Sequence, residues 1–246
     1  MRIAVVSDIH GNLPALEAVV ADFSRRDIDR VVNLGDNLSG PLLPLETARY
    51  LIAQPWIHLA GNHERQLLSE DASQRYASDE YALSQLTETE LAWIATLRPR
   101  LELSAEILLC HGTPDSDVHY FLETVMPTGM RMADAREIEQ RLGDNAHELV
   151  LCGHTHVARA IRSSRGSLIV NPGSVGLPAY DDVHPYPHVV ESGSPDARYA
   201  IVETVSSGWS AQLISVPYDH HAMADLAREH GRSDWEHALR SGYVAR

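Results

Sequence analysis

Ile3-Ala4-Val5-Val6-Ser7-Asp8-Ile9-His10-Gly11-Asn12 is the stretch on which the fold turns. Four apolar residues in a row, without polar alternation, read as a strand buried on both faces, as in parallel sheets covered by helices. The run breaks on Asp8 and His10. A helical pattern then runs from about Pro14 to Arg26, with Leu16, Val19, Val20 and Phe23 at i, i+3, i+4 and i+7. Strand, polar turn and amphipathic helix together open an α/β unit.

Similar units follow. Val31-Val32-Asn33-Leu34 and Ile57-His58-Leu59-Ala60 predict a second and a third strand, with a helix between them marked by Ala48, Leu51 and Ile52. Thr87-Glu88-Thr89-Glu90 is a capping box that Leu86 and Leu91 can staple, for a helix running to about Leu97 and stopping before Pro99. Ile107–Cys110 and Leu149–Cys152 are two more buried strands. Beyond residue 156 the pattern turns strand-rich, at about 157–162, 167–170, 198–205 and 209–216, and a short helical tail is expected from about Asp219. The stretch from Pro178 to Pro195 has no clear periodicity and holds Pro185 and Pro187 among histidines and acids, so a Pro/His loop is expected at about 178–195. These patterns predict one α/β domain over 1–246, a two-sheet sandwich flanked by helices on both outer faces.

Composition narrows the chemistry. The 246 residues are 44% hydrophobic, enough for a full core, and the net charge of -14 opposes non-specific binding to nucleic acid or anionic membrane. All 20 basic residues are arginine, which excludes a lysine nucleophile, a Schiff base and a P-loop lysine. Two cysteines imply no disulfide framework. The apolar N-terminal run is too short for a signal segment and no later run approaches a membrane span, so a cytoplasmic location is expected.

Ligand-type residues recur at one kind of place, just after a predicted buried strand: Asp8 and His10, Gly35-Asp36, Gly61-Asn62-His63-Glu64, His111-Gly112, and Gly153-His154-Thr155-His156. The carboxyl ends of strands in an α/β sheet are where ligands bind, which is a physical reason to treat the scattered motifs as one site. Aspartate and histidine are oxygen and nitrogen donors suited to Zn, Mn or Fe, and no thiolate is among them. One carboxylate such as Asp36 can bridge two cations, and Asn62 offers a neutral carbonyl oxygen. Two aspartates against two divalent ions leave a net positive centre, built for an anion inside an acidic protein.

The ordered series D-x-H, G-D, G-N-H-E, H and G-H-x-H resembles the calcineurin-like metallophosphoesterase superfamily. Residues 8–176 carry the resemblance, and the trailing Asn171-Pro172-Gly173-Ser174-Val175-Gly176 is similar to its small bacterial and archaeal phosphodiesterase branch. The resemblance implies a first divalent metal ion on Asp8, His10, Asp36 and His156 and a second on Asp36, Asn62, His111 and His154, linked by a bridging water or hydroxide. It implies His63 as the group that contacts the phosphate and protonates the leaving oxygen. The implied reaction is hydrolysis of a small phosphoric ester, a phosphodiester for preference, by attack of the bridging hydroxide. A phosphomonoesterase acting on a phosphoprotein or nucleotide is the second reading. A non-catalytic interaction module on the same fold is the third.

Several residues admit two roles. Asn12 can cap the first helix or touch substrate phosphate. Gly112, Ser174 and Tyr180 are candidate substrate contacts, and His119, Tyr120, His184 and His188 are loop residues that could edge the substrate. Gly173-Ser174-Val175-Gly176 is not the G-x-S-x-G elbow of serine hydrolases. Cys110 and Cys152 read as small buried residues at strand ends rather than nucleophiles.

Overall fold

The computed structural model describes all residues from Met1 to Arg246. β1 (Arg2–Val6) forms because Ile3 to Val6 find apolar partners on both sides. Alternation along the strand sends Ile3 and Val5 into one core and Ala4 and Val6 into another. The chain continues through α1 (Leu13–Phe23), β2 (Arg30–Asn33), α2 (Pro44–Ile52) and β3 (Ile57–His58). β1, β2 and β3 are parallel, and α1 lays Leu16, Val19 and Phe23 on the outer face of their sheet.

Three helices follow: α3 (Asn62–Leu67), α4 (Ala77–Gln85) and α5 (Glu88–Ile94). The Thr87–Glu90 capping box opens α5 as the sequence predicts, but the helix stops at Ile94 and the chain leaves through tight turns at Thr96 and Leu97.

The second sheet is built from β4 (Arg100–Ser104), β5 (Ile107–Cys110), β8 (Leu149–Leu151), β9 (Arg159–Arg162) and β10 (Leu168–Asn171). Between β5 and β8 come a hairpin, β6 (Glu123–Met126) with β7 (Gly129–Met132), and the helix α6 (Ala135–Leu142). Its strand order is β4-β5-β8-β10-β9, and β5, β8 and β10 run parallel. α6 covers its outer face with Ile138 and Leu142 against Leu108, Val150 and Ile169.

Residues 178–195 correct the expectation of a long irregular loop. They contain β11 (Ala179–Asp182) and β12 (His188–Glu191), paired antiparallel with Tyr180 opposite Val190 and Asp182 opposite His188. Pro185 and Pro187 sit in the turn and Pro178 and Pro195 outside the strands, positions where no ladder N–H is missed. β13 (Ala197–Val205) and β14 (Gly208–Val216) then return antiparallel beside β1, completing the order β14-β13-β1-β2-β3.

The two five-stranded sheets face each other across Val5, Val32, Leu34, Leu109, Leu151, Val170 and Val202, all fully buried. The helical tail is longer than the sequence pattern suggests: α7 (His220–Glu229), capped by Asp219, and α8 (Ser233–Ser241) pack together and onto Leu177 and Ala179. No helix is long and apolar enough to cross a membrane.

Candidate metal centre and its cavity

Packing the two sheets face to face brings the carboxyl ends of β1, β2 and β3 to the same end of the sandwich as those of β5, β8 and β10. The loops leaving those ends are strained. Asp8, His10, Asp36, His154 and His156 adopt φ of 55, 53, 54, 69 and 57°, and Asp27 is the only other non-glycine residue with positive φ. L-residues avoid this left-handed region, and those forced into it gather at functional sites. Cross-loop bonds hold them there: Asp8 N donates to Gly35 O at 3.0 Å, His10 N to Asp36 O at 3.0 Å, and Gly153 N to His111 O at 2.7 Å.

The side chains so presented form two groups, Asp8 with His10 and His156, and Asp36 with His111 and His154; within each, one ligand atom per residue lies within 4.8 Å of the others. Backbone carbonyls set the imidazole tautomers. His10 Nδ1 donates to Ser39 O at 2.7 Å, His156 Nδ1 to Leu177 O at 2.8 Å and His111 Nδ1 to Leu34 O at 2.8 Å, which turns Nε2 of each ring inward. His154 is reversed: Nε2 donates to Val118 O at 3.1 Å and the buried Nδ1 has no partner.

Acceptors therefore converge. His10 Nε2 lies 3.2 Å from His156 Nε2, which is 3.4 Å from Asp8 Oδ1, and His111 Nε2 lies 3.0 Å from Asp36 Oδ2 without hydrogen-bond alignment. Asn62 Oδ1 is likewise buried and partnerless. A proton can satisfy one such pair; a cation can satisfy a whole group at once. The donor set, hard carboxylates and borderline imidazoles, fits divalent transition ions. Burial and the neighbouring His156 hold the His10 pKa down to about 3, and burial with His111 lowers His154 to about 4. Burial also opposes charge on His111, but Asp36 and Asp8 outweigh it and raise its pKa to about 10.

A layer behind the ligands fixes them. Buried Glu64 accepts from the backbone N–H of Asp36, Asn37 and Gly61, each at 2.8 Å. Gly61 leaves no room for a side chain, because a Cβ there would overlap Asp36 Oδ1, and a Cβ at Gly153 would overlap Ser7 Oγ beside Asp8. His63 sits at the start of α3, its N–H donating to Asp36 Oδ1 at 3.0 Å and its Nδ1 lying 2.7 Å from Asp79 Oδ1. Burial disfavours the imidazolium, yet Asp36 and Asp79 prevail and raise the His63 pKa to about 9. Neither Glu64 nor Asp79 was assigned a role from the sequence. Glu64 at least stood within the quoted motif, whereas Asp79 lies on α4 with no local signal.

The other expected site residues divide. Asn12 is wholly engaged inside the protein: Oδ1 caps α1, and Nδ2 donates to Gly176 O and Tyr218 Oη, each at 2.9 Å. Ser174 Oγ donates to Asp8 O at 2.7 Å, so it braces a ligand loop. Gly112 is needed for a tight approach, since a Cβ would stand 2.5 Å from Ser116 O. His119 and His184 are exposed. Tyr120 and Tyr180 line the cavity beside the ligands, their rings edge-on to His154 at 5.1 Å and His156 at 4.8 Å. Their hydroxyls meet at 2.7 Å, and Tyr120 Oη also bonds His188 Nε2 at 3.0 Å. Cys110 and Cys152 are buried, and burial pushes the Cys110 thiol up to about 12, far from a nucleophile.

The cavity above the two groups measures about 480 Å³. His10, Asp36, Asn62, His63, His154 and His156 form its floor, and Tyr76, Ser78, Tyr180, Asp182, Arg232 and, from α8, Trp235 and Ala238 line the rest.

The family model of the calcineurin-like phosphoesterase superfamily domain matches residues 1–192 of this chain. A crystal structure of a metallophosphoesterase from Sphaerobacter thermophilus superposes with a TM-score of 0.75 at 27% identity, covering 98% of this chain and 99% of that one. A hypothetical protein from Pyrococcus horikoshii OT3 gives a TM-score of 0.74 at 18% identity, covering 99% of each chain, a likeness of fold. An uncharacterised protein of Methanocaldococcus jannaschii is 24% identical over 242 residues, 88% of each chain.

Proposed function

The chain belongs to the calcineurin-like phosphoesterase superfamily and is a metal-dependent phosphoesterase, and on that premise we propose that it is a two-metal hydrolase of small phosphodiesters. One observation carries the reading: two groups of buried acceptors, each converging on a point, with five of their six residues held in left-handed backbone. Asp8, His10 and His156 would hold one divalent ion, His111, His154 and Asn62 a second, with Asp36 lying between the groups. Manganese, iron or zinc would suit them. Such a pair supplies a water of near-neutral pKa and neutralises charge developing on the phosphoryl oxygens.

The protein's own groups do the rest. Asp79 holds His63 Nδ1 at 2.7 Å, so Nε2 is the nitrogen free to carry a proton into the cavity, and the Asp79 carboxylate favours the protonated ring. His63 would then protonate the departing alkoxide. Trp235 and the α8 helix shield the floor from water on one side. The cavity, at about 480 Å³, has room beside the ligand groups for the substituents of a small ester.

The test is hydrolysis of bis-p-nitrophenyl phosphate by metal-stripped protein with and without Mn²⁺, beside Asp36→Asn. Activity restored by metal in the wild type alone supports the proposal. Preference for p-nitrophenyl phosphate over the diester would move the reading to a monoesterase. Stoichiometric metal without turnover of either would leave a binding module.

A further inference from the structure

Away from its floor the cavity is sided by charge. Its charged lining residues beyond the ligands and His63 are Asp181, Asp182, Asp234 and Arg232. The one guanidinium is paired with a carboxylate: Nε and Nη2 donate to Asp234 at 3.0 and 2.6 Å, and Nη1 donates to Ser78 Oγ at 2.9 Å. Asp182 has no such match. Its Oδ1 accepts from the backbone N–H of His184 at 2.9 Å, and no arginine pairs with it. His188, directly across the hairpin, turns its two ring nitrogens to Tyr186 O and Tyr120 Oη instead.

Three tyrosines line the same cavity as this carboxylate. Tyr180 and Asp182 share one face of β11 by strand alternation, and both line the cavity. Tyr76, 55% exposed and just before α4, lines the same cavity. Burial raises the phenol pKa values of Tyr76, Tyr120 and Tyr180, and the charge of Asp182 adds to the rise. A carboxylate among tyrosine rings is a favourable environment for an organic cation. An additional phosphate or carboxylate would be repelled there.

We propose that this wall binds the positively charged alcohol half of a phosphodiester, an amino-alcohol or quaternary-ammonium head, against Asp182 and the rings of Tyr76, Tyr120 and Tyr180. The ester phosphate lies over the ligand groups. The inference rests on the phosphodiesterase reading of the site and narrows its substrate to a zwitterionic ester. Polyphosphorylated substrates are disfavoured by the same charge.

Two measurements test it. The first compares kcat/KM for p-nitrophenyl phosphorylcholine with that for bis-p-nitrophenyl phosphate in the Mn²⁺-loaded protein and in Asp182→Asn, which keeps an acceptor for His184 N–H. The choline ester is expected to be favoured, and Asp182→Asn to lower the ratio by about threefold to fivefold, the scale of one part-exposed ion pair. A ratio unmoved by Asp182→Asn, or a preference for the bis-aryl ester, overturns the proposal. The second is calorimetric binding of choline chloride to metal-stripped protein, independent of turnover. Binding that Asp182→Asn abolishes supports the cation wall, and no binding overturns it. Failure of both esters to turn over with normal choline binding would instead count against the phosphodiesterase reading.

Discussion

The floor of the cavity and its surrounding wall meet over a few ångströms but are assembled in different ways. The floor comes from loops at the ends of parallel strands, each ligand following its strand within one to five residues, and the loops are locked by backbone bonds such as His10 N to Asp36 O at 3.0 Å. The wall comes from α4, the β11–β12 hairpin and α8, held by side chains far apart in the chain: His63 with Asp79, Tyr120 with His188, and Arg232 with Ser78. The floor sets the reaction, because its geometry decides which atoms meet a metal ion and a phosphate. The wall sets the substrate, because it meets only what the phosphate carries.

This division predicts a ranking of effects. Asp36→Asn strikes the floor where the two groups meet; turnover should fall to the level of metal-stripped protein, and bound metal measured by emission spectrometry should fall with it. Retention of full metal content and activity would break the division at its root. His63→Ala should keep its metal yet lose about 10²–10⁴-fold on alkyl esters, with a smaller loss on p-nitrophenyl esters whose leaving group needs no proton. Equal losses on both would remove His63 from the acid role.

Asp79→Asn acts one step further out, from the wall onto the floor. Carboxylates that orient a working imidazole are typically worth ~10–100-fold, so kcat should drop by that order while metal content stays unchanged. A change in KM alone would place Asp79 with the substrate instead. Asp134→Ala serves as the contrast outside both regions. Asp134 Oδ1 caps α6 by accepting from Glu137 N at 2.9 Å. Its loss should cost about 1 kcal/mol and lower Tm by about 2–4 °C, with turnover as in the wild type.

The floor was legible in the sequence because its signals are local. A both-sides-buried run such as Ile3–Val6 announces a strand, and the polar residues after it announce a strand-end loop; five such places sufficed to gather the ligand residues. The wall was not. Pro178–Pro195 concealed a hairpin because its prolines fall in the turn and at the flanks, where they weaken the local pattern without disturbing the ladder. α6 concealed itself behind charge, burying little more than Ile138 and Leu142. Asn12 could be read as a cap or a phosphate contact, and only the arrival of Gly176 and Tyr218 from the far end of the chain engaged its amide.

The sequence by itself determined the order of buried strands, the ligand-type residues that follow them and the anion-seeking chemistry of their combination, since each depends on residue type and short spacing. Tertiary structure alone decided which nitrogen each histidine turns inward, that Glu64 braces Asp36, that Asp79 holds His63, and that Asp182 stands without a cation among tyrosines. The physical reason is range. Backbone preference and burial patterning act between neighbours, whereas a hydrogen-bond partner or a charge is supplied by whichever distant segment packing brings within about 3 Å.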